Sequence, residues 1–285
     1  MPDIFDIYLD DYQLHSLSTQ LPTIVGRPLE GLSNPDIRTN VYDNPGDHGQ
    51  TVTNALYGER VISLTGSIRG ADVTEYQANR RAFQQSVGLQ HDANGYPVFR
   101  ILKLNINGNQ YRIPVSVKAF DMPYTLPTST KWKLDLVATK WALESEAVYS
   151  ATVGLPQPGG LHFPTPFPIT WTGSGGGSTT VTNAGTAAAF PVITIQGPVI
   201  NPVLTNATTG ERIALTLTLG ASDTIVIDMF ERTIIQGGAT NRMGALVTGS
   251  NFWALVPGEN IIYYSADAYD TSTSTLTWRS AFAGL

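Results

Sequence analysis

The chain of 285 residues predicts one large domain or two ordinary ones, because a chain of this size buries enough surface to form its own core. Its formal net charge of −6 argues against a nucleic-acid-binding protein, since such proteins present a basic face to the phosphates. The absence of cysteine excludes a disulfide framework, a thiolate metal site and a cysteine nucleophile.

The N-terminus lacks the basic and apolar regions of a secretory signal peptide, and no stretch reaches the roughly 18 apolar residues of a membrane span. We therefore expect a protein that is made in the cytosol and stays soluble until it assembles. Early carboxylates could in principle hold a cation, namely Asp3, Asp6, Asp10 and Asp11. Their spacing fits no calcium loop, which favours an exposed acidic edge.

The first 150 residues are predicted to be mainly strands with one helix. Residues 61–68 alternate between apolar and polar side chains, and Gly66 leaves space where a large side chain would otherwise stand. Asp72 followed by Glu75 is typical of a helix N-terminus. The positions with helical spacing after it are Tyr76, Arg80, Phe83 and Val87, and Gly88 ends the run. This pattern predicts a helix over residues 72–87.

Three further strands are predicted after the helix. Residues 98–106 and 111–117 flank Asn107-Gly108, a strong signal for a tight turn, and should pair as a hairpin. In the next strand, residues 131–138, the apolar face comprises Trp132, Leu134, Leu136 and Ala138, and the other face comprises Lys131, Lys133 and Asp135. This two-faced pattern predicts a strand that contributes to a wall or interface sheet.

The connection between the two halves combines prolines from Pro156 to Pro168 with a Gly/Ser-rich stretch at residues 173–178. We predict an N-terminal domain of residues 1–153, a connection of residues 154–178 and a C-terminal domain of residues 179–285. The C-terminal domain is predicted to contain short alternating strands at residues 192–195, 213–219, 224–230, 260–265 and 276–278. Regular short strands with turn residues between them are typical of a β-sandwich or jelly roll.

Charge is distributed unevenly between the halves. Residues 1–150 carry 13 basic and 16 acidic side chains, whereas residues 151–285 carry 4 and 7, with no lysine after Lys140. A β domain with so few charges either hides its surface in an assembly or stays soluble through Thr, Ser and Asn, and we expect a mixture of both.

No catalytic, cofactor-binding or metal site is predicted. The histidines are scattered without metal-ligand spacing, at His15, His48, His91 and His162. The glycine-rich run at residues 173–177 lacks the Lys-Ser/Thr ending of a phosphate loop. We expect Trp253 and Trp278 to lie in the core, because large aromatic side chains dominate burial in small β domains.

The C-terminal third resembles the C-terminal domain of siphophage distal tail proteins. The resemblance begins with Asn183-Ala184-Gly185-Thr186 and with residues 190–197, and it continues in the same order through the turn at residues 206–210, residues 225–228, 232–234, 250–253 and 255–260, and Leu276-Thr277-Trp278. The order and spacing over about a hundred residues carry it. Residues 64–68 leading into the helix from Asp72 to Phe83 are similar to the N-terminal domain of the same family.

This resemblance implies a mainly β fold with one helix, in which a barrel-like N-terminal domain forms a ring and a galectin-like β-sandwich follows. It implies a non-enzymatic virion protein at the tip of a long non-contractile tail, with no cofactor, that joins the tail tube to the host-adhesion apparatus. It also implies a hexamer whose partners are the tail tube protein, the tape measure protein, the tail-associated hub protein and receptor-binding proteins.

Two other functions remain open from the sequence. A carbohydrate-binding, lectin-like module is suggested by the sandwich and by Trp171, Trp253 and Trp278, provided that these side chains are exposed. A polysaccharide hydrolase would need paired carboxylates in a groove, and the low carboxylate count of the second half disfavours it. A tail protein could also bind host glycans through its sandwich, so the tail function and the carbohydrate-binding function are compatible.

Overall fold

The structure, a computed structural model, describes residues 5–16, 22–26, 29–124, 128–156, 177–267 and 271–285. The chain divides into two compact units. The N-terminal unit comprises Met1–Glu146 and Phe282–Leu285, and the C-terminal unit comprises Ala147–Ala281. The last four residues thus belong with the N-terminal unit rather than with the strands that precede them.

The described part of the N-terminal unit contains ten strands and one helix. They are β1 Phe5–Leu9, β2 Tyr12–His15, β3 Thr23–Val25, β4 Ile37–Asp43, β5 Gln50–Tyr57, β6 Arg60–Arg69, α1 Val73–Val87, β7 Arg100–Ile106, β8 Asn109–Asp121, β9 Ser129–Ala138 and β10 Leu143–Ser145. The main sheet runs in the order β2-β1-β7-β8-β9-β6-β3, and β10 also pairs with β8. The sheet nearly closes, because the backbone N–H of Val25 in β3 donates to His15 Nδ1 in β2. This is the predicted barrel-like sheet.

The predicted hairpin is confirmed as β7 and β8. The strands pair in antiparallel register from Arg100 opposite Val115 to Ile106 opposite Asn109. Both turn residues have positive φ, 52° at Asn107 and 84° at Gly108, as a type I′ turn requires. The Asn-Gly pair therefore sets the register between β7 and β8 in the barrel.

The predicted strand at residues 61–68 is confirmed as part of β6, and its glycine has the expected role. Gly66 lies opposite Trp132 of β9. A Cβ atom at Gly66 would stand 2.1 Å from the carbonyl oxygen of Ile24 and 2.6 Å from the Trp132 ring. Only glycine therefore allows β3 and the indole to cover this point of the sheet.

The predicted helix is confirmed as α1, with Asp72 as its N-cap. Asp72 Oδ1 accepts a hydrogen bond from the backbone N–H of Glu75 at 2.8 Å, and Glu75 Oε2 accepts one from the backbone N–H of Ala71. The buried face of the helix comprises Tyr76, Phe83 and Val87. Phe83 packs against Trp132 with ring centroids 4.9 Å apart, which fixes α1 on the sheet.

Replacing Asp72 by alanine is expected to cost about 1 kcal/mol of stability, because the first helical turn loses the acceptor for one of its free N–H groups. Chemical denaturation of the purified protein would measure the loss. Asp72→Asn is the matched control, since an asparagine oxygen caps about as well. Equal losses for the two variants would mean that the carboxylate charge, and not the cap, stabilises this end.

The C-terminal unit contains short antiparallel strands. They are β11 Tyr149–Gly154, β12 Ser178–Asn183, β13 Val192–Gln196, β14 Val199–Ile200, β15 Val203–Asn206, β16 Glu211–Ala214, β17 Thr218–Leu219, β18 Thr224–Asp228, β19 Thr233–Gln236, β20 Thr240–Asn241, β21 Gly258–Ser265 and β22 Thr273–Trp278, with a 3₁₀ turn at Met243–Ala245. The last short strand, β23 Ala281–Phe282, belongs to the main sheet of the N-terminal unit.

These strands form a sandwich, as predicted from the sequence. One sheet has the order β11-β22-β13-β18-β19-β20, a second has the order β12-β21-β15-β16, and β14 pairs with β17. Alternate residues of the central strands are buried, as in Ile193 and Ile195 of β13 and in Ile262 and Tyr264 of β21. Each large sheet thus turns one apolar face to the core and one polar face outward.

The prediction of one continuous strand over residues 213–219 is wrong. The segment is divided between β16, which pairs with β15, and β17, which pairs with β14. Between them the backbone N–H of Leu217 donates to Asn201 Oδ1, and the N–H of Thr216 donates to the carbonyl of Ala245. The apolar residues of this segment do alternate. Its backbone, however, hydrogen-bonds to residues distant in sequence, which replace the single neighbouring strand that a continuous strand would pair with.

Candidate assembly surface

The most unusual surface feature of the N-terminal unit is a two-stranded arm, defined as residues 37–57. Its strands β4 and β5 pair with each other in a sheet of their own, outside the barrel. Every residue of both strands is exposed. At the tip, the backbone N–H of Asn44 donates to the carbonyl of Gly49, and Gly46 and Gly49 have positive φ. The arm is thus a β-hairpin with both faces open.

Large apolar side chains lie on this open hairpin. Ile37 and Tyr42 are each 63% exposed, and the other exposed apolar residues of the arm are Val41, Val52, Leu56 and Tyr57. An isolated two-stranded hairpin is marginally stable in water. Exposed apolar patches and open strand edges mark sites of protein association. The arm therefore has the composition and geometry of a segment that another surface covers.

The root of the arm is fixed by an aromatic stack and by a buried arginine. The Tyr57 ring stacks on Trp141 at 4.6 Å and 16°, and the backbone N–H of Gly58 donates to the carbonyl of Asp36. Arg60, which is 2% exposed, follows directly after the arm. This root fixes the direction in which the hairpin leaves the barrel.

The Arg60 guanidinium is satisfied by backbone carbonyls. Its Nε donates to the Trp141 carbonyl at 2.8 Å, and Nη1 donates to the carbonyls of Gly31 and Ser33 at 2.6 and 2.8 Å. Nη2 donates to the Ala283 carbonyl. Burial lowers the pKa of Arg60, but an arginine side chain stays protonated in proteins. One side chain thus ties the root of the arm to three other segments, including the last residues of the chain.

A second feature of the N-terminal unit is a cleft of about 540 Å³ over the exposed side of β6 and β9. It is lined by Ile24, Gly26, Thr65, Gly66, Ser67, Asp121, Pro123, Lys131, Trp132 and Lys133. In β9 the predicted alternation is present, since Trp132, Leu134 and Leu136 are buried while Lys131 and Lys133 are exposed. The strand predicted as an interface segment is therefore a strand of the barrel with one open polar face.

The charges of this open face are partly paired. Lys133 Nζ lies 3.2 Å from Asp135 Oδ2. A hydrogen bond from Ser63 Oγ to Asp135 Oδ1 at 2.6 Å, together with Lys133, holds the pKa of Asp135 below its ordinary value. In the described part of the chain, the Lys131 ammonium pairs with no carboxylate within 4 Å. Lys131 therefore provides a free positive charge at the cleft.

The outer faces of the C-terminal sandwich use hydroxyl groups more than charges. Thr273, Thr275 and Thr277 alternate with the buried residues of β22, and Thr152 of β11 joins them through an Oγ1···Oγ1 contact of 3.0 Å with Thr275. This is the surface expected for a sparsely charged domain that stays soluble through threonine.

The structure separates the scattered histidines. His15 is buried in β2 and accepts a hydrogen bond from the backbone N–H of Val25, whereas His48 and His91 are exposed on different turns. His162 lies outside the described residues. Among the residues that the structure describes, no group of three His, Asp or Glu side chains could hold a metal ion.

Among the described residues, the early carboxylates Asp6, Asp10 and Asp11 belong to no group that could hold a metal ion. Asp10 Oδ2 pairs with Arg100 Nε at 2.6 Å, and Asp10 Oδ1 accepts a hydrogen bond from the backbone N–H of Ile101 at 2.7 Å. Asp6 lies in β1, and Asp3 lies outside the described residues. Through these contacts Asp10 links the first turn of the chain to β7.

The tryptophans Trp253 and Trp278 are core residues, as predicted. Trp253 is 1% exposed, and Trp278 is 6% exposed and donates through Nε1 to the carbonyl of Thr182. Trp171 and the glycine-rich run at residues 173–176 lie outside the described residues. In the described part of the chain, no helix is long and apolar enough to span a membrane.

The arm was not predicted from the sequence. The signal that could have indicated it is Asn44-Pro45-Gly46-Asp47, a turn sequence between two β-prone runs. The apolar residues of the arm do not alternate regularly with polar ones. Neither face of the arm is buried, and a bulge between Asn40 and Val41 shifts the register. A search for half-buried strands therefore passes over it.

Comparisons with known proteins agree with the resemblance noted in the sequence. Residues 184–282 match the family described as siphovirus-type tail component, C-terminal domain. The SPP1 Dit protein, described as a paradigm of the hub adsorption apparatus in phages that infect Gram-positive bacteria, matches over 98% of this chain and 99% of its own, with a TM-score of 0.67 and 12% identity.

A chain of the phage P2 baseplate in its activated conformation matches over 97% of this chain and 98% of its own, with a TM-score of 0.47 and 10% identity. A search of curated protein sequences finds no significant match. The family match and the likeness to SPP1 Dit confirm the resemblance to distal tail proteins, and the whole described chain has the fold of SPP1 Dit.

Proposed function

We propose that this chain, whose residues 184–282 belong to the siphovirus-type tail component family, is a structural protein of a long non-contractile phage tail. In this proposal it forms the distal tail ring, the baseplate hub that connects the tail tube to the host-adhesion apparatus. The observation that carries the proposal is the arm, an exposed apolar hairpin on a barrel that has the fold of SPP1 Dit.

The arm supports a ring for a physical reason. A ring forms when a patch on one subunit binds a different patch on the next and the rotation between subunits closes. A hairpin that leaves the barrel at a fixed root can reach a neighbour and present apolar side chains to it. We propose six subunits, with the N-terminal unit forming the ring and the C-terminal sandwich projecting outward.

The partners of this ring follow from the same proposal. The tail tube protein, the tape measure protein and the tail-associated hub protein would contact the ring, and receptor-binding proteins would attach directly or through other baseplate parts. Assembly would take place in the host cytoplasm, and the mature location would be the tail tip of the virion. The proposal assigns the chain no catalytic residue, cofactor or metal.

Negative-stain electron microscopy and native mass spectrometry of the concentrated protein test this function. We expect six-fold rings with outward lobes and a mass of six chains. A protein that stays monomeric at high concentration, both alone and when mixed with tail tube protein, would contradict the proposal.

Removing the apolar side chains of the arm is expected to weaken self-association about 100-fold or more, because several exposed anchors lose their contacts at once. The variant is Ile37→Thr/Tyr42→Thr/Val52→Thr/Leu56→Thr, in which threonine preserves strand propensity. Analytical ultracentrifugation gives the association constant, and circular dichroism checks the fold. Ile261→Thr/Tyr263→Thr, which removes exposed apolar side chains from the C-terminal unit, is the matched control and should still form rings.

The carbohydrate-binding alternative loses part of its motivation in the structure. It required exposed aromatic platforms, and Trp253 and Trp278 are buried. Tyr263 is the exposed aromatic residue in the described strands of the sheet β12-β21-β15-β16. It pairs with Ser178 of β12 on one side and with Thr205 of β15 on the other. A glycan array with the purified protein tests this alternative, and binding that Tyr263→Ala abolishes would support it.

A further inference from the structure

We infer that a cavity over β1, β7 and β8 of the N-terminal unit binds a neutral saccharide. The cavity has a volume of about 370 Å³, and its lining includes Tyr8, Lys103, Asn105 and Gln110. All of its lining residues belong to the N-terminal unit. The inference goes beyond the proposed function, because the site lies within one chain and needs neither a ring nor the C-terminal sandwich.

The strands place polar side chains at the cavity by simple alternation. Every second residue of β1 and β7 is buried in the core, so the residues between them lie on the opposite face of the sheet. The register aligns two cross-strand rows on that face, namely Asp6, Asn105 and Gln110 in one row and Tyr8, Lys103 and Arg112 in the next. The cavity therefore has amide, aromatic and charged groups within a small area.

Both rows contain buried polar atoms that, in the described part of the chain, have no hydrogen-bond partner. They are Asp6 Oδ1, Asn105 Oδ1 and Arg112 Nε, which are two acceptors and one donor. Buried polar groups are normally paired, and an unpaired one costs stability. Such groups beside a cavity are typical of a site that gives up stability for binding.

The mixture of groups favours a neutral ligand with several hydroxyl groups. A hydroxyl both donates and accepts hydrogen bonds, so it can serve acceptors and donors of the same wall. Asp11 in the lining would repel an anion, and Lys103 would repel a cation. The Asn105 amide can turn about its Cβ–Cγ bond to offer either its oxygen or its nitrogen. Tyr8 contributes aromatic surface, against which the C–H face of a sugar ring can pack.

The walls of the cavity are held in place by contacts around them. Asp10 is fixed by its ion pair with Arg100 and by the backbone N–H of Ile101. The backbone N–H of Glu146 donates to the carbonyl of Gln110 at 2.9 Å. The volume lies within the usual range of small-ligand sites, roughly 300 to 1,000 Å³. A short saccharide would therefore meet a largely preformed site.

Saturation-transfer NMR of the purified protein with glucose, galactose, N-acetylglucosamine and glycerol tests the inference. We expect a transfer signal from at least one of the three sugars, and we expect Asn105→Leu and Tyr8→Ala to weaken its binding about tenfold or more. Tyr263→Ala is the matched control and should bind as the parent protein does. Inorganic phosphate and methylammonium are tested in the same way and should give no signal.

The thermal unfolding midpoint provides a readout that a structural role would not give. Asn105→Leu removes a buried acceptor that has no partner, so it is expected to raise the midpoint without sugar by about 2 °C or more. A lower midpoint would show that Asn105 supports the fold, and it would overturn the inference.

Three NMR results would also overturn the inference. The first is that none of the three sugars binds. The second is that phosphate or methylammonium binds in their place, because the site would then select a charge. The third is that Tyr263→Ala abolishes sugar binding while Asn105→Leu preserves it, because the sugar would then lie on the sandwich. None of these results depends on whether the protein forms a ring.

Discussion

Replacing Arg60 by leucine is expected to lower the free energy of unfolding of the N-terminal unit by about 3 to 5 kcal/mol. The guanidinium donates to the carbonyls of Gly31, Ser33, Trp141 and Ala283 in a buried environment. Leucine is apolar and shorter, so it leaves these acceptors without their donor. Each unsatisfied buried group carries a desolvation cost, and several segments lose a common anchor together.

Arginine suits this position because its planar side chain offers five donors in a fixed fork. Arg60→Lys should therefore lose much of the same stability, since an ammonium keeps the charge but cannot reach acceptors on so many sides. Arg69→Leu is the matched control, because Arg69 is an exposed arginine of the same strand, and the expected change is within about 0.5 kcal/mol.

Hydrogen exchange measured by mass spectrometry, together with urea denaturation, would locate the loss. In the Arg60→Leu variant, peptides that contain residues 31–33, residue 141 and residues 282–285 should exchange faster than in the parent protein. Peptides from the C-terminal unit should keep their protection. Unchanged exchange at the root of the arm would show that the carbonyls find other donors and that Arg60 does not anchor this region.

The elements predicted correctly from the sequence are those that local chemistry determines. Asn107-Gly108 has the backbone freedom that a type I′ turn needs, and Asp72 supplies a cap at the point where helical spacing begins. In the sequence, Gly66 is visible only as a gap in an apolar face. The structure shows that Trp132 lies opposite it, as the register of β6 and β9 requires. Periodicity and turn residues act over a few positions, so a single sequence displays them.

The features that escaped prediction depend on residues far apart in the chain. The break in residues 213–219 requires Asn201 and Ala245 as hydrogen-bonding partners. The return of residues 282–285 to the N-terminal unit depends on Arg60, and Phe282 packs edge-on against Tyr111 at 5.1 Å. The arm was not predicted for another reason. Alternation of apolar and polar residues arises in strands that bury one face, and the arm has no buried face.

Replacing Gly185 by alanine is expected to lower the free energy of unfolding of the C-terminal unit by about 3 kcal/mol or more. A Cβ atom at this position would stand 1.8 Å from the carbonyl oxygen of Ala281 and 2.5 Å from its carbonyl carbon. The atoms in conflict belong to the backbone and cannot rotate away as a side chain could. The cost arises from this close approach.

The surrounding hydrogen bonds prevent the backbone from moving aside. Asn183, which is fully buried, donates through Nδ2 to the carbonyls of Ala187 and Leu255, and its Oδ1 accepts from the N–H groups of Gly185 and Ala281. The N–H of Ala187 in turn donates to the Ala281 carbonyl. A shift that relieved the contact at Gly185 would lengthen several of these bonds at once.

Gly154→Ala is the matched control for this prediction. Gly154 is also a glycine of the C-terminal unit, its φ is not positive, and a Cβ atom there would meet nothing within 4 Å. Alanine at Gly154 should leave stability unchanged or raise it by about 0.4 to 1 kcal/mol, because the unfolded chain loses freedom. Urea denaturation that gave equal midpoints for Gly185→Ala and the parent protein would contradict the rigid approach of the two segments.

The close approach at Gly185 also accounts for the segment Asn183-Ala184-Gly185-Thr186, with which the resemblance to distal tail proteins begins. Asn183 and Gly185 act together at the place where the start of the C-terminal domain passes the backbone of Ala281. A small residue and a buried amide at this spacing are what such a crossing requires. The motif is therefore a packing constraint of the sandwich. If so, Gly185→Ala should lower stability without changing assembly contacts, whereas a binding site would lose binding.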